Sequence, residues 1–239
     1  MQKTCIIIPC YNEEQRLDSS KFLNFIINNS YHFCFVNDGS KDDTAKLITE
    51  FKRKANKKVT LINLEINSGK GEAIRQGFLK MVDTGYFEII GYLDADLATP
   101  LEEIPYLLAS FDEGYEVVIG SRVKRLGTHI HRRLPRHYMG RVFATIASTT
   151  LKIRAYDSQC GAKFFKVETT QFLFREQFIS KWIFDLELLY RLKNEQHEIY
   201  ENKLLEVPLR KWSEQLDSKI RLVDILRVPI ELLKIKSRM

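Results

Sequence analysis

Two aspartates one residue apart, Asp94 and Asp96 in the segment Tyr92-Leu93-Asp94-Ala95-Asp96-Leu97, are the sharpest chemical feature of this sequence. In an extended segment, residues i and i+2 point to the same side, which would bring the two carboxylates together. Carboxylates so close resist joint ionisation unless a cation lies between them. Their hard oxygens suit Mg²⁺ or Mn²⁺, and such an ion would also bind substrate phosphates. The bland alternative is a turn that uses Asp for local capping. The position after an apolar run and before Thr99-Pro100 favours the ion.

Four further polar segments follow apolar runs: Pro9-Cys10-Tyr11-Asn12-Glu13-Glu14, Asn37-Asp38-Gly39-Ser40, Asn67-Ser68-Gly69-Lys70-Gly71 and Gly120-Ser121-Arg122. The runs before them, at 4–8, 32–37, 58–64, 87–93 and 115–119, read as strands. Helical spacing fills 15–29, 42–56, 70–84 and 101–112. Alternation of this kind predicts a doubly wound, mostly parallel α/β sheet flanked by helices. Ligands of such sheets bind beyond the carboxyl ends of the strands, so the five polar segments should meet around a phosphate-bearing ligand. Neither a GxGxxG fingerprint after the first strand nor a Walker A loop is present, which disfavours a dinucleotide cofactor.

The second half is less regular. Helices are expected at 137–151 and 183–195, strands at 163–166 and 199–207, and an amphipathic tail helix at 220–236 interrupted at Pro229. No linker or repeat divides the chain. One domain is therefore expected over 1–239, with a nucleotide-sugar-binding half at 1–122, an acceptor-side half at 123–221 and a tail helix at 222–239.

With 239 residues, 44% of them hydrophobic and 28% charged, the chain is neither disordered nor fibrous. Cys5, Cys10, Cys34 and Cys160 show no zinc or disulfide spacing; three of them sit in or beside apolar runs and read as small core residues in a reducing compartment, and Cys160 reads as packing rather than chemistry. No apolar run approaches the ~20 residues of a membrane span, and the first residues turn polar too soon for a signal peptide. Charge is unevenly spread. The net charge is +6, yet the stretch between Glu116 and Asp157 holds nine Lys or Arg and no acid, which leaves −3 for the rest. Such a block attracts anions: nucleic acid, anionic lipid or a phosphorylated substrate. Interleaved aromatics are few there and no RNA-binding signature appears, so a non-catalytic nucleic-acid module is a distant alternative and no nucleic-acid partner is expected.

The ordered motifs IIIPCYNEE, VNDGSKDDT, NSGKGEAIRQGF, YLDADLATP, VVIGSR, YDSQCGAKFF and FDLELLYRL resemble family 2 glycosyltransferases of the GT-A fold, and more closely their dolichyl-phosphate β-glucosyltransferase and polyprenyl-phosphate branch. The resemblance runs from about residue 4 to residue 221. It implies an inverting, metal-dependent transfer of a hexose, glucose first, from a nucleotide-sugar such as UDP-glucose to a polyprenyl or dolichyl phosphate. A saccharide acceptor in envelope polysaccharide synthesis is the alternative. It also implies site residues. Pro9, Tyr11, Glu13, Asp38, Lys70, Asp94 and Ala95 would bind the nucleotide, and Asp94 and Asp96 the Mg²⁺ or Mn²⁺. Arg122, Asp157 and Asp185 would be catalytic, Asp185 or Asp157 as general base for a hydroxyl acceptor. Gln159, Lys163 and Glu187 would line the acceptor side. Lys219 would contact phosphate from a late closing loop that also holds Trp212. On charge rather than resemblance, the basic block, with Arg132, Arg133 and Arg136, suits the acceptor phosphate. The sequence departs from the family pattern at Asn37, where a second acid is usual, and at Asp217, where Gly is usual. Ala98 replaces the Gln of mannosyl-transferring relatives, which favours the glucosyl branch. The expected setting is cytoplasmic, peripheral at the inner face of an anionic membrane; a homo-oligomer or a membrane-protein partner stays open.

Overall fold

In the computed structural model, residues 2–181, 183–215 and 222–238 are described. In chain order the elements are β1 (Thr4–Cys10), α1 (Ser19–Asn28), β2 (His32–Asp38), α2 (Thr44–Ala55), β3 (Val59–Leu64), α3 (Lys70–Val82), β4 (Ile89–Tyr92), α4 (Glu103–Leu108) and β5 (Val117–Ser121). They continue with β6 (His129–His131), α5 (Leu134–Leu151), β7 (Lys163–Lys166), α6 (Val167–Thr170), α7 (Phe184–Glu195), β8 (Leu204–Pro208), β9 (Lys211–Ser213) and α8 (Leu222–Arg238). They fall into two compact units, Met1–Leu97 with Gly161–Gln177, and Ala98–Cys160 with Phe178–Met239.

In the first unit the strand order is β3-β2-β1-β4-β7, parallel except for β7, which runs antiparallel to β4. Side chains alternate across the strands, so each face takes its own helices. Phe33 and Phe35 of β2 meet Phe22 of α1 and Phe51 of α2, with Phe22 edge-on to Phe35 at 5.4 Å. On the other face, Gly77 of α3 lies against Ile7 and Val36. Phe78 of the same helix stacks on Phe174 at 3.8 Å. This is the doubly wound arrangement expected from the β-α alternation. The register sets Cys10 beside Asn37 and Asp38 beside Leu64, so the loops that follow β1, β2 and β3 leave one edge of the sheet together.

In the second unit β5 pairs in parallel with β8, and β6 in parallel with β9. The β6–β9 ribbon was not foreseen. Each strand has three residues and buries only its middle one, Ile130 or Trp212, which leaves no periodicity to read. Four local expectations are corrected. Helix α1 begins at Ser19 rather than 15, because the Asp18 carboxylate accepts the Lys21 N–H and caps it there. The strand expected at 199–207 is a π-helical turn, Ile199–Lys203, followed by β8. Helix α5 starts at Leu134, three residues early, with Pro135 in its first turn. The tail helix α8 runs through Pro229 without interruption.

The four thiols are buried. Burial pushes Cys5, Cys10 and Cys34 upward, Cys34 to about 12, so these three stay protonated and serve as packing groups.

Candidate active site

The loops at the carboxyl edge of the first unit are laced together. Asn12, in the left-handed region at φ 52°, donates its N–H to Ser40 Oγ at 2.9 Å, and its side-chain oxygen accepts the Lys41 N–H at 2.9 Å. The Glu13 N–H donates to Thr44 Oγ1 at 2.8 Å. The Glu14 N–H donates to Asp42 while the Asp43 N–H donates back to the Glu14 carboxylate. One loop thus holds the next in place. Asp38, buried at the end of β2, accepts the Ser68 and Gly69 N–H groups at 2.7 and 2.8 Å. Both its oxygens brace the loop into α3. Asn37 donates to Asn63 and accepts from the Ser40 N–H; an ionised Asp could accept but could not donate, which accounts for the amide at this departure from the family pattern.

Asp94 and Asp96 do not lie in an extended segment. Strand β4 ends at Tyr92, and Asp94–Leu97 is a turn with the Leu97 N–H directed to the Asp94 carbonyl. Ala95 packs inward, and Leu97 sits in the left-handed region at φ 54°, a conformation that costs a residue with a Cβ about 1–2 kcal/mol. The two carboxylates meet different cations. Asp94 pairs with Lys70 Nζ at 2.5 Å, both side chains about one-third exposed. Asp96 lies 3.6 Å from the Arg16 guanidinium, which also lies 3.5 Å from Glu13. Beside Asp94, a Cβ at Gly161 would fall on the carboxylate, so only glycine leaves room for it.

These acids fit a divalent ion. Both are reachable, both carry hard oxygens and both already attract cations. Among the described residues no cluster of three or more His, Cys, Asp or Glu exists; Mg²⁺-type sites commonly use one or two carboxylates and fill the remaining positions with water and substrate phosphate.

The second unit carries its own polar centre. Asp157 accepts from Arg122 Nε at 2.7 Å, from Nη2 at 2.6 Å and from the Arg122 N–H at 2.8 Å. Burial alone would raise the Asp157 carboxyl, but the charge and hydrogen bonds of Arg122, with Arg132 behind, outweigh it and hold it at about 2. The guanidinium of Arg122 faces the ring of Trp212 at 5.4 Å. Arg141 stacks on Tyr156 at 3.6 Å. Arg122, Arg132, Arg141, Tyr156, Asp157 and Gln159 line a cavity of about 50 Å³. That is room for roughly four waters or one phosphate group. The Gln159 side-chain nitrogen has no hydrogen-bond partner among the described residues, and a buried donor of that kind requires one. Gly140 of α5 admits the Arg132 guanidinium, whose Nη2 would lie 2.5 Å from a Cβ there.

Other expected residues fall elsewhere. Pro9 and Tyr11 are half-buried at the end of β1. Asp185 is buried in the first turn of α7. Glu187 is fully buried and accepts the Ile179 and Ser180 N–H groups and Arg191, so it shapes the turn into α7. Lys163, expected on the acceptor side, is fully buried in β7 of the first unit with its ammonium 5.7 Å over Tyr92. Arg133 presents its N–H to Glu214. Lys219 and Asp217 lie outside the described residues, as does the side chain of Arg136. Arg16, Gly140, Arg141, Tyr156 and Gly161 were not anticipated as site residues. The basic block already contained Arg141, but nothing local marked Arg16.

A parallel sheet whose strand-end loops gather around paired carboxylates has the architecture of the GT-A glycosyltransferases, and the structural comparison agrees. Glucosyl-3-phosphoglycerate synthase from Mycobacterium tuberculosis in complex with UDP matches 98% of this chain and 80% of its own at TM-score 0.69 and 16% identity. The same enzyme in complex with Mn²⁺, UDP-glucose and phosphoglyceric acid matches at TM-score 0.69 and 17% identity, over 98% and 79% of the two chains. The sequence comparison assigns the family: residues 5–179 match glycosyl transferase family 2, and the chain belongs to it. A dolichyl-phosphate beta-glucosyltransferase of Trichomonas vaginalis is 31% identical over 248 residues, covering 97% of this chain and 70% of the relative. Another, of Dictyostelium discoideum, is 33% identical over 77% of this chain and 60% of its own. An undecaprenyl-phosphate 4-deoxy-4-formamido-L-arabinose transferase of Klebsiella pneumoniae is 37% identical over 49% of this chain and 36% of its own.

Proposed function

We propose that this glycosyltransferase moves a hexose, glucose first, from UDP-glucose to a polyprenyl phosphate with inversion at the anomeric carbon. The observation that carries the acceptor choice is the small cavity lined by Arg122, Arg132 and Arg141, sized and charged for one phosphate. The names of the relatives point the same way.

In this reading the loops of the first unit hold the donor: Pro9, Tyr11, Glu13 and Ala95 beside the nucleotide, Asp38 bracing the wall, and Lys70 turning from Asp94 to phosphate. Asp94 and Asp96 would hold Mg²⁺ or Mn²⁺, which when bound offsets charge developing on the departing diphosphate. In the second unit Asp157 fixes Arg122, and Arg122 with Arg132 and Arg141 positions the acceptor phosphate. Gln159 offers a further donor. A lipid phosphate is anionic at neutral pH, so the chemistry asks for positioning more than proton removal. Asp157, held near 2 and engaged by Arg122, is a weak base. Asp185 is the residue left to assist a hydroxyl acceptor. Lys219 and Arg136 are retained as anion contacts from the sequence.

We place the protein peripherally on an anionic membrane. No helix among the described residues is long and apolar enough to cross one. Helix α5 carries Tyr138, Val142 and Ile146 at four-residue spacing, exposed by 65, 62 and 47%, within the acid-free basic block. Replacing Arg132, Arg133 and Arg136 together with Ala is expected to weaken sedimentation with phosphatidylserine vesicles and to lower transfer to lipid phosphate. Unchanged sedimentation and turnover would refute this placement.

The function itself is tested by thermal shift followed by product analysis. With Mn²⁺, UDP or UDP-glucose at 100 times Kd should add about 2.7 kcal/mol, a rise of roughly 5–10 °C for a chain this size, and exceed GDP or GDP-mannose. Radiolabel should pass from UDP-glucose to dolichyl or undecaprenyl phosphate. Transfer to saccharide only, or no shift with any nucleotide, would overturn the reading.

A further inference from the structure

One cation beside the acid turn has no part in the reaction as described. Arg16 lies in the short connection between β1 and α1. Its own N–H donates to the Glu13 carbonyl at 3.0 Å, the Leu17 N–H donates to the same oxygen at 2.8 Å, and Leu17 is buried as the anchor of this turn. The backbone therefore fixes where the Arg16 side chain starts. From there the guanidinium reaches Glu13 at 3.5 Å and Asp96 at 3.6 Å, with the Arg16 and Asp96 side chains about one-quarter exposed. Both distances are those of loose ion pairs, longer than the 2.7–2.9 Å of a close charge-assisted hydrogen bond. The contact can open without breaking the fold, because Glu13 lies on the same turn and can retain the guanidinium.

We propose that Arg16 is a placeholder cation, seated on Asp96 in the metal-free protein and displaced when the divalent ion takes that carboxylate. The inference rests on the reading of Asp94 and Asp96 as ion ligands. Its physical content is competition. A carboxylate oxygen that binds Mg²⁺ or Mn²⁺ comes to about 2.0–2.2 Å from the ion. A guanidinium on the same carboxylate would then stand beside a dication in a partly screened site, where like charges repel. Arg16 either withdraws to Glu13 or keeps the ion out. In both cases it raises the ion concentration needed to load the bare site. A diphosphate arriving with the ion brings negative charge that offsets the repulsion. Arg16 thus makes loading of ion and nucleotide mutually dependent, and discourages idle occupation of Asp96 by free metal. Asp94 likewise meets a side-chain cation, Lys70, at 2.5 Å.

The test reads binding rather than turnover. Free Mn²⁺ is followed by its solution electron paramagnetic resonance signal during titration of the whole protein, with and without UDP, for wild type, Arg16→Gln and Arg16→Lys. Without UDP, Arg16→Gln should bind Mn²⁺ about two- to fivefold more tightly than wild type, the size of one partly exposed ion pair. Its gain in Mn²⁺ affinity on adding UDP should shrink by a similar factor. Arg16→Lys, which keeps the charge, should stay near wild type on both measures. Equal or weaker Mn²⁺ binding by Arg16→Gln without UDP, or an unchanged effect of UDP, overturns the placeholder role while leaving the ion site standing. Wild type that binds no Mn²⁺ even with UDP overturns the ion site and the placeholder together. A thermal melt of each variant confirms that the fold is intact, and a variant that fails to fold is replaced by Arg16→Met in the same titration.

Discussion

Changing Asp96 to Asn should lower kcat/KM for sugar transfer by about 10²–10³-fold, the range seen when one preorganised group facing developing charge is removed. The protein should stay folded. Asp96 is about one-quarter exposed and its pairing with Arg16 is loose, so the stability change should stay under about 1 kcal/mol. Asp94→Asn should be similar in rate but should also remove the ion pair with Lys70, which sits 2.5 Å from Asp94. Steady-state transfer at saturating Mn²⁺, alongside a urea melt, separates loss of chemistry from loss of fold. An Asp96→Asn enzyme that turns over as fast as wild type would remove the basis for a metal-assisted reaction at this turn.

Asp157→Asn should act mainly through stability. It takes away a buried carboxylate that accepts three hydrogen bonds from Arg122 and leaves that guanidinium buried without its counter-charge. Breaking one side of a buried pair costs about 3–5 kcal/mol. The pH dependence gives a second signature. The folded carboxyl titrates at about 2 against an ordinary 3.8, so its contribution is fully present above about pH 4 and is lost as pH falls through 2. The depression corresponds to about 2 kcal/mol. Urea midpoints measured from pH 5 down to pH 2 should therefore converge for wild type and Asp157→Asn. Parallel curves over that range would mean that Arg122 does not hold Asp157 ionised.

Much of the first unit was legible because local rules and tertiary structure agree there. Ile6-Ile7-Ile8 and Phe33-Cys34-Phe35-Val36 are apolar enough to announce buried strands, and the Gly, Asp and Ser residues after them mark the loops that carry the site. The sequence also showed which residue types could bind an ion. It did not show their geometry: the extended-strand rule for Asp94 and Asp96 failed because Leu97 turns the chain in a left-handed conformation that no leucine announces. Partner choice was hidden for a similar reason. Arg122 and Asp157 are 35 residues apart, and either could have been a lone catalytic group. The Lys163 side chain looked like an anion contact, yet it is enclosed in β7. That strand reads as one more apolar run, and its antiparallel direction follows from the route of the chain rather than from Lys163-Phe164-Phe165-Lys166 itself.

Leu97 also bears on how this enzyme would respond to artificial evolution. Its left-handed backbone suits glycine or asparagine better than leucine, so a screen for heat resistance alone would favour Leu97→Gly or Leu97→Asn. Glycine would relax the knuckle next to Asp96 and let that carboxylate wander. Thermal robustness and the set of the acid turn pull this single position in opposite directions, and a library meant to toughen the protein should hold residue 97 fixed.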